Sequence, residues 1–215
     1  MEQSAAEPHP PDPDAAEGFT PLSERFDEAL RYASWAHRRQ ARKATRIPYV
    51  AHLLGVCGTV LEHGGSEDQA IAALLHDVLE DCGAEHEAPI RDSFGDGVAD
   101  IVVACSDSVL PAGETKPPWK ERKTRYLEHL RRSSASEPAV LVSLADKVNN
   151  ARAIRVDLTL LGPAVWGRFT RPKGDQLWYY AQLASAFEAV LPGALADELA
   201  SIFTDIVDLS DAESR

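Results

Sequence analysis

Ionisable residues follow an apolar run in this sequence, at a place where charge is costly to bury. His76 and Asp77 come directly after the apolar residues 71–75, and Glu80 and Asp81 follow one helical turn later. Burial of such groups is unfavourable unless a metal, a partner or a proton compensates. On one helix, His76 and Asp77 would point about 100° apart, with both later acids at the same helix end. The pattern favours a metal ion; a structural histidine beside solvated acids is the simpler alternative.

Two further polar residues shift the balance toward the metal. His52 lies upstream of the pair, and Asp146 ends the apolar run 139–145. Imidazole nitrogens and carboxylate oxygens in one site suit a first-row divalent cation and leave positions for water and substrate. The predicted ligand set is His52, His76, Asp77 and Asp146.

Length and composition predict a single domain, and helical periodicity predicts that it is all-α. The chain has 215 residues, of which 44% are hydrophobic, enough for one substantial core. Helical periodicity recurs along the chain, and strand-like alternation is nearly absent. We expect a helical bundle over residues 21–208. The acidic, proline-rich residues 1–20 predict a disordered tail, and residues 209–215 a flexible C-terminus.

Caps and breakers predict the individual elements. Ser23 and Ser66 are expected to cap two helices, of which the second should carry His76 and Asp77 without interruption and end before Gly83. The predicted helices cover residues 24–40, 49–63, 67–82, 87–94, 97–105, 119–132, 138–155, 175–190 and 194–207. Loops are predicted over residues 42–48 and 107–118, and a mostly irregular segment over residues 157–174.

Charge and cysteine content exclude several classes of protein. The net charge of −12 argues against general binding of nucleic acid. No apolar run is long enough to cross a bilayer, and the N-terminus lacks a signal-peptide pattern, so we expect no membrane association. Cys57, Cys82 and Cys105 have no CxxC spacing, which predicts reduced thiols and a cytoplasmic location.

A local basic cluster contrasts with the acidic whole. Five cations crowd into residues 38–46 without an acid among them: Arg38, Arg39, Arg42, Lys43 and Arg46. Such a cluster suggests a small polyanionic ligand, while a solvated helix face would explain it equally well.

Several motifs together resemble the hydrolase motifs of the RelA/SpoT branch of the HD superfamily, and in particular its stand-alone small alarmone hydrolases. The resemblance covers roughly residues 25–190 and is specific because the motifs agree in order and spacing. The segments that carry it are Arg42–Lys43, Pro48–His52, Ala72–Asp81, Phe94–Gly95 and Leu144–Asn150.

The resemblance implies an all-α, manganese-dependent enzyme that removes the 3′-pyrophosphate of guanosine tetra- and pentaphosphate. It implies that Glu80 and Asp81 orient and activate the attacking water. It also implies four metal ligands, which are the residues His52, His76, Asp77 and Asp146.

For the substrate, the resemblance implies that Arg42 and Lys43 contact the guanine and the phosphates. Asn150 would lie near the ribose and the scissile phosphate. Because phosphoryl transfer needs charge neutralisation, further cations are candidates for the remaining phosphates. They are Lys120, Arg122, Lys123, Arg168 and Arg171.

Two other functions stay open at this stage. The same metal with a changed pocket could hydrolyse another phosphorylated nucleotide, such as NADPH. A regulator that binds a nucleotide or a protein without turnover is the second alternative. The complete ligand set and Glu80 argue against the regulator.

Overall fold

The computed structural model describes residues 21–106 and 117–211. This part of the chain is helical and holds no β-strand, only an isolated bridge. The predicted all-α class is therefore confirmed. The predicted tail over residues 1–20 and most of the predicted loop over residues 107–118 lie outside the described residues.

Ten α-helices and two 3₁₀ segments make up the described part of the chain. None of these helices is long and apolar enough to cross a membrane. The α-helices are α1 (Glu24–Ala36), α2 (Val50–Glu62), α3 (Glu67–Leu75), α4 (Val78–Asp81), α5 (Glu87–Phe94), α6 (Asp96–Cys105), α7 (Trp119–Arg132), α8 (Pro138–Leu161), α9 (Lys173–Val190) and α10 (Ala194–Asp211); the 3₁₀ segments are Ala84–His86 and Gly162–Arg168.

Helix α8 lies at the centre of the bundle, in contact with α2, α3, α6 and α10. Its residues Val142, Leu144 and Val148 are fully buried. A helix covered on several sides is apolar around most of its circumference. A buried acid on such a helix, as at Asp146, needs a compensating charge or hydrogen bonds.

The prediction of one helix through the His76–Asp77 pair was wrong. Helix α3 begins with a capping box between Ser66 and Gln69 but ends at Leu75, and α4 starts only at Val78. The side chain of His76 donates from Nδ1 to the carbonyl oxygen of Ala73, 2.8 Å away. That carbonyl is the acceptor that the N–H of Asp77 would use in an uninterrupted helix. The break therefore falls where the imidazole competes with the backbone.

The region after the middle of α8 also differs from the prediction. The helix continues to Leu161, because no Gly or Pro interrupts it before Gly162, whose φ of 64° ends it. The segment predicted as irregular over residues 157–174 is the end of α8, a 3₁₀ segment and the start of α9. At the other end of the chain, α1 stops at Ala36, short of its predicted end.

Candidate metal centre and adjoining cleft

The structure brings the four predicted ligands together from three parts of the chain. His52 lies in the first turn of α2, Asp146 in the middle of α8, and His76 and Asp77 at the break between α3 and α4. The Nε2 atom of His76 lies 3.0 Å from Asp77 Oδ2 and 3.7 Å from Asp146 Oδ1. The Nε2 atom of His52 lies 3.2 Å from Asp146 Oδ1 and 3.5 Å from Asp77 Oδ2.

Both imidazoles are buried and held in one orientation. His76 donates from Nδ1 to the carbonyl oxygen of Ala73, and His52 donates from Nδ1 to the amide oxygen of Asn149 at 2.6 Å. A neutral imidazole carries its proton on one nitrogen and a lone pair on the other. These hydrogen bonds therefore direct the lone pair of each Nε2 toward the carboxylates of Asp77 and Asp146.

The donor set fits a divalent cation. The buried Nε2 of His76 has no hydrogen-bond partner among the described residues, although Asp77 Oδ2 lies 3.0 Å away. Two lone pairs facing two carboxylates repel unless a proton or a cation lies between them. Ligand atoms of His52, His76 and Asp146 all lie within 4.8 Å of one another. A mixed nitrogen and oxygen set of this size suits a first-row divalent metal.

In the metal-free protein, the charges of the ligand cluster shift the pKa values of its members. Burial opposes the charged form of Asp146, but Lys147, whose Nζ lies 2.6 Å from Oδ2, outweighs it together with the imidazoles and holds the pKa of this acid well below its usual range. Burial likewise disfavours protonation of His76, yet the carboxylates of Asp77 and Asp146 raise its pKa well above 6.5. In the absence of metal, protons thus take the place of the cation.

Three supporting residues were not predicted from the sequence as part of the site. Tyr49 donates from Oη to Asp77 Oδ2 at 2.6 Å, Asn149 accepts from His52, and Lys147 pairs with Asp146. A metal ligand is commonly oriented by such a second hydrogen bond. Their spacing from the ligands could have indicated this role. Tyr49 precedes His52 by three residues, and Lys147 and Asn149 fall within one turn of Asp146.

A glycine makes room for one of these supports. If Gly55 carried a Cβ, that atom would collide with the side-chain amide nitrogen of Asn149. Helix α2 therefore approaches α8 closely at this point, and the amide of Asn149 fills the space beside the backbone. The contact of Asn149 with His52 depends on that space.

The two predicted catalytic acids lie on α4, directly after the break. Glu80 is partly buried, whereas Asp81 is exposed and accepts a hydrogen bond from Gln40 Nε2 at 2.7 Å. Gln40 in turn accepts from His37, a buried residue whose ring stacks on Tyr49 at 5.0 Å between centroids. Asp81 thus anchors the start of the basic loop, residues 40–48, which carries Arg42, Lys43 and Arg46 beside the metal ligands.

An open cleft of about 550 Å³ adjoins the cluster, and it contains the basic loop. Arg42 donates from Nη2 to Asn150 Oδ1 at 2.8 Å, and Asn150 donates from Nδ2 to Asp146 Oδ1. Asn150 therefore connects the cleft with the metal centre. The residues that line the cleft include Arg42, Lys43, Ile47, Asn150, Asp157, Arg168, Phe169 and Tyr180.

The other predicted cations are placed differently. Arg168 lines the cleft but pairs with Asp157. Lys123 lies on α7 with its Nζ 5.1 Å from the ring centroid of Tyr179, and Lys120 has the same relation to Trp178 at 2.8 Å. Neither Lys123 nor the exposed Arg171 is among the residues that line the cleft. Their substrate contacts stay predictions.

Two histidines have partners that the sequence did not indicate. His86 shares a hydrogen bond of 2.6 Å between its Nδ1 and the hydroxyl of Tyr32. His37 is buried at the end of α1. Neither belongs to the cluster of ligand atoms.

Comparison with known proteins places the chain in a family. Residues 29–174 match the model of the HD domain. The guanosine-3′,5′-bis(diphosphate) 3′-pyrophosphohydrolase MESH1 of Drosophila melanogaster is 33% identical over 163 residues, covering 74% of this chain and 82% of the relative. The protein of the same name from Xenopus tropicalis is 37% identical over 142 residues, covering 65% and 72%.

A solved structure agrees with these relatives. It is described as a metazoan ortholog of SpoT that hydrolyses ppGpp and plays a role in starvation responses. It matches with a TM-score of 0.70 and 29% identity, over 86% of this chain and 97% of its own. The chain with its buried His–Asp cluster is therefore a member of the HD-domain family, within the RelA/SpoT-like phosphohydrolases.

Proposed function

We propose that this chain is a metal-dependent hydrolase that removes the 3′-pyrophosphate of guanosine tetra- and pentaphosphate. The observation that carries the proposal is the buried cluster of two imidazole Nε2 atoms and two carboxylates, which fits a cation. A basic cleft lies beside it and is connected to it through Asn150. Relatives that are named for this reaction support the choice of substrate.

We assign the cation to His52, His76, Asp77 and Asp146, with manganese as the first choice among divalent first-row metals. When bound, such a cation lowers the pKa of its water from about 15.7 toward about 7 and polarises phosphoryl oxygens. The chain supplies the fixed ligand orientation through Asn149 and Tyr49. Lys147 offsets part of the negative charge at Asp146.

Glu80 is assigned as the group that accepts a proton from the attacking water. The water oxygen bonds to the 3′-phosphorus as the bond between that phosphorus and the ribose 3′-oxygen breaks. The 3′-oxygen takes up a proton, which balances the one that Glu80 accepts, so the products are pyrophosphate and a nucleotide with a 3′-hydroxyl. A positioned acid–base group contributes about 10²- to 10⁴-fold to such a step. Asp81 holds Gln40, and with it the basic loop, at the edge of the site.

The cleft is assigned to the nucleotide. Arg42 and Lys43 lie where they can neutralise phosphates, and Asn150 bridges from Arg42 to Asp146 between the phosphates and the metal. Lys123 and Arg171 are proposed as outer contacts to the remaining phosphates. Because Cys57, Cys82 and Cys105 are all free thiols, we also propose a cytoplasmic location.

A substrate panel tests this function. Wild type, Glu80→Gln and the exposed control Glu128→Gln are incubated with manganese, magnesium or zinc and with guanosine tetraphosphate or NADPH. Pyrophosphate and orthophosphate are measured separately. We expect wild type to release pyrophosphate from guanosine tetraphosphate with manganese, and Glu80→Gln to lose about 10²- to 10⁴-fold in kcat.

Metal binding by the same three proteins separates the alternatives. Glu80→Gln should bind manganese as wild type does, since Glu80 is not assigned as a ligand. Orthophosphate released from NADPH in place of pyrophosphate from guanosine tetraphosphate would favour the other hydrolase. A wild-type protein that binds no metal and turns over neither nucleotide would favour the regulator.

A further inference from the structure

An acid and a base pair with each other inside the cleft, where the proposed hydrolysis gives neither a role. Arg168 donates from Nη1 to Asp157 Oδ2 at 2.9 Å. The two side chains are 30% and 34% exposed, so the pair is accessible from the cleft that it lines. A carboxylate offers about four lone-pair positions, and this hydrogen bond uses one of them. Asp157 can therefore accept further hydrogen bonds from a ligand.

The position of Asp157 on α8 suits contact with a nucleobase. Asp146, Asn150 and Asp157 are spaced by four and seven residues, which places them along one face of the helix. From Asp146 to Asp157 this face extends about 16 Å, or three turns. A nucleotide whose 3′-phosphates are at Asp146 and Asn150 would lie lengthwise along α8 with its base at the far end.

The cleft that Asp157 lines has walls that suit a flat, mostly apolar group. Phe169, Tyr180 and Ile47 line the same cleft, and so does the small residue Ala153, which precedes Asp157 by one turn on α8. Aromatic and apolar side chains of this kind commonly cover a ring, while a few polar groups select its edge. Asp157 and Arg168 are polar groups of the same cleft.

The order of donor and acceptor in this pair matches guanine. The Watson–Crick edge of guanine presents an acceptor, O6, beside two donors, N1–H and the N2 amine. An arginine donor next to a carboxylate acceptor complements that edge. Adenine presents the reverse order, a donor at N6 beside an acceptor at N1. The same pair would then face adenine with donor against donor and acceptor against acceptor.

We propose that Asp157 and Arg168 read the base of the substrate and select guanine over adenine. The inference rests on the proposed function, because it takes the 3′-phosphates to be held at the metal centre. It makes Asp157 a specificity-determining residue that binds N1–H and the N2 amine, with Arg168 on O6. It also opposes NADPH, whose base is adenine, as the substrate.

The test compares three nucleotides that differ only in the base: the 3′,5′-bis(diphosphates) of guanosine, inosine and adenosine. Wild type and Asp157→Asn are assayed with manganese for kcat and KM. The Asp157→Asn change should lower kcat/KM for the guanosine compound about 10- to 100-fold, mostly through KM. The adenosine compound should change by less than about threefold. Inosine, which lacks the N2 amine, should be intermediate.

Asp205→Asn is a matched control. Like Asp157, Asp205 accepts a hydrogen bond from an arginine: Arg155 Nη1, on α8, lies 3.0 Å from Asp205 Oδ2. Asp205 does not line the cleft. This variant should keep the wild-type ratio of guanosine to adenosine kcat/KM. That ratio, taken on one preparation, is independent of how much of the protein is folded. An equal loss for all three nucleotides in Asp157→Asn would overturn the inference, as would a wild-type ratio near one.

Binding separates failure of this inference from failure of the proposed function. The dissociation constants of the guanosine and adenosine compounds are measured with metal-stripped protein in EDTA. If wild type hydrolyses none of the three nucleotides, the proposed hydrolysis is wrong, but a guanosine preference that Asp157→Asn abolishes still supports base reading. If hydrolysis occurs and the ratio does not depend on Asp157, the proposed function stands and the inference falls.

Discussion

The metal centre and the cleft share α8 but differ in how their polar groups are held. In the centre, His52, His76 and Asp146 are at least 93% buried, and both imidazoles are fixed by a second hydrogen bond. In the cleft, Asp157 and Arg168 are about one-third exposed and form an ion pair with each other. Buried charges must be satisfied within the protein, whereas exposed ones can exchange partners with a ligand. The groups of the centre are therefore held in one arrangement, whereas Asp157 and Arg168 are free to exchange their hydrogen bond for bonds to a ligand.

The largest expected effect comes from breaking the centre. Asp77→Ala removes a carboxylate within 3.5 Å of both Nε2 atoms, so turnover should fall to background with every nucleotide. This differs from Asp157→Asn, which should lower kcat/KM for the guanosine compound and leave the adenosine compound nearly unchanged. The apolar core of the bundle is untouched, so far-UV circular dichroism should still report a helical protein.

Calorimetric titration with manganese completes that test. Asp77→Ala should bind the metal more weakly than wild type, while Asp208→Ala, a change at an exposed acid on α10, should bind it normally. Retained turnover in Asp77→Ala would refute the assigned ligand set. Loss of the helical signal would instead identify Asp77 as a structural residue.

The difference between the two regions also explains what could be predicted from the sequence. Buried polar residues stand out against an apolar run, which is why His76 and Asp146 were recognisable. The break at His76 was not predictable, because it arises from a side chain that takes the Ala73 carbonyl from the helix. Partly exposed cations such as Arg168 do not stand out from the sequence in this way. The ion pair of Arg168 with Asp157 forms only because the chain turns at Gly162.

A smaller effect is expected from the support of His52. Asn149→Ala removes the acceptor of the Nδ1 proton, which frees the ring to change tautomer and orientation, so manganese affinity should fall about 10- to 100-fold. Asn149→Asp keeps an acceptor and should restore most of it. Gly55→Ala should act in the direction of Asn149→Ala, because the added methyl group displaces the amide.

Two measurements distinguish positioning from general damage at this residue. Manganese affinity is obtained by electron paramagnetic resonance, and the ¹⁵N shifts of His52 in the metal-free protein report its tautomer. Asn149→Ala should change both the affinity and the shifts. Arg155→Ala, which removes a contact between α8 and α10, should change neither. Unchanged shifts and affinity in Asn149→Ala would mean that the hydrogen bond to His52 does not position the ligand.

The smallest effect, a dependence of stability on pH near neutrality, sharpens the comparison because the centre holds His52 and His76, whose pKa values are raised above 6.5. The pKa values of His52 and His76 are raised in the metal-free fold: burial opposes the charged form, but the carboxylates of Asp77 and Asp146 outweigh it. Their contribution to stability is therefore fully present below the unfolded pKa of about 6.5 and is lost as pH rises through the folded values.

Metal binding should depend on pH in the opposite sense. A cation needs unprotonated imidazoles, so protons compete with it for Nε2 of His52 and His76. From about pH 6.5 upward we expect the melting temperature in EDTA to fall and the increase produced by manganese to grow. Asp157→Asn, which changes only the cleft, should follow the wild-type curves in both conditions. If the melting temperatures in EDTA and in manganese instead change in parallel with pH, protons and metal do not compete for the same atoms. His52 and His76 would then not be metal ligands, and the contrast between the centre and the cleft would fail.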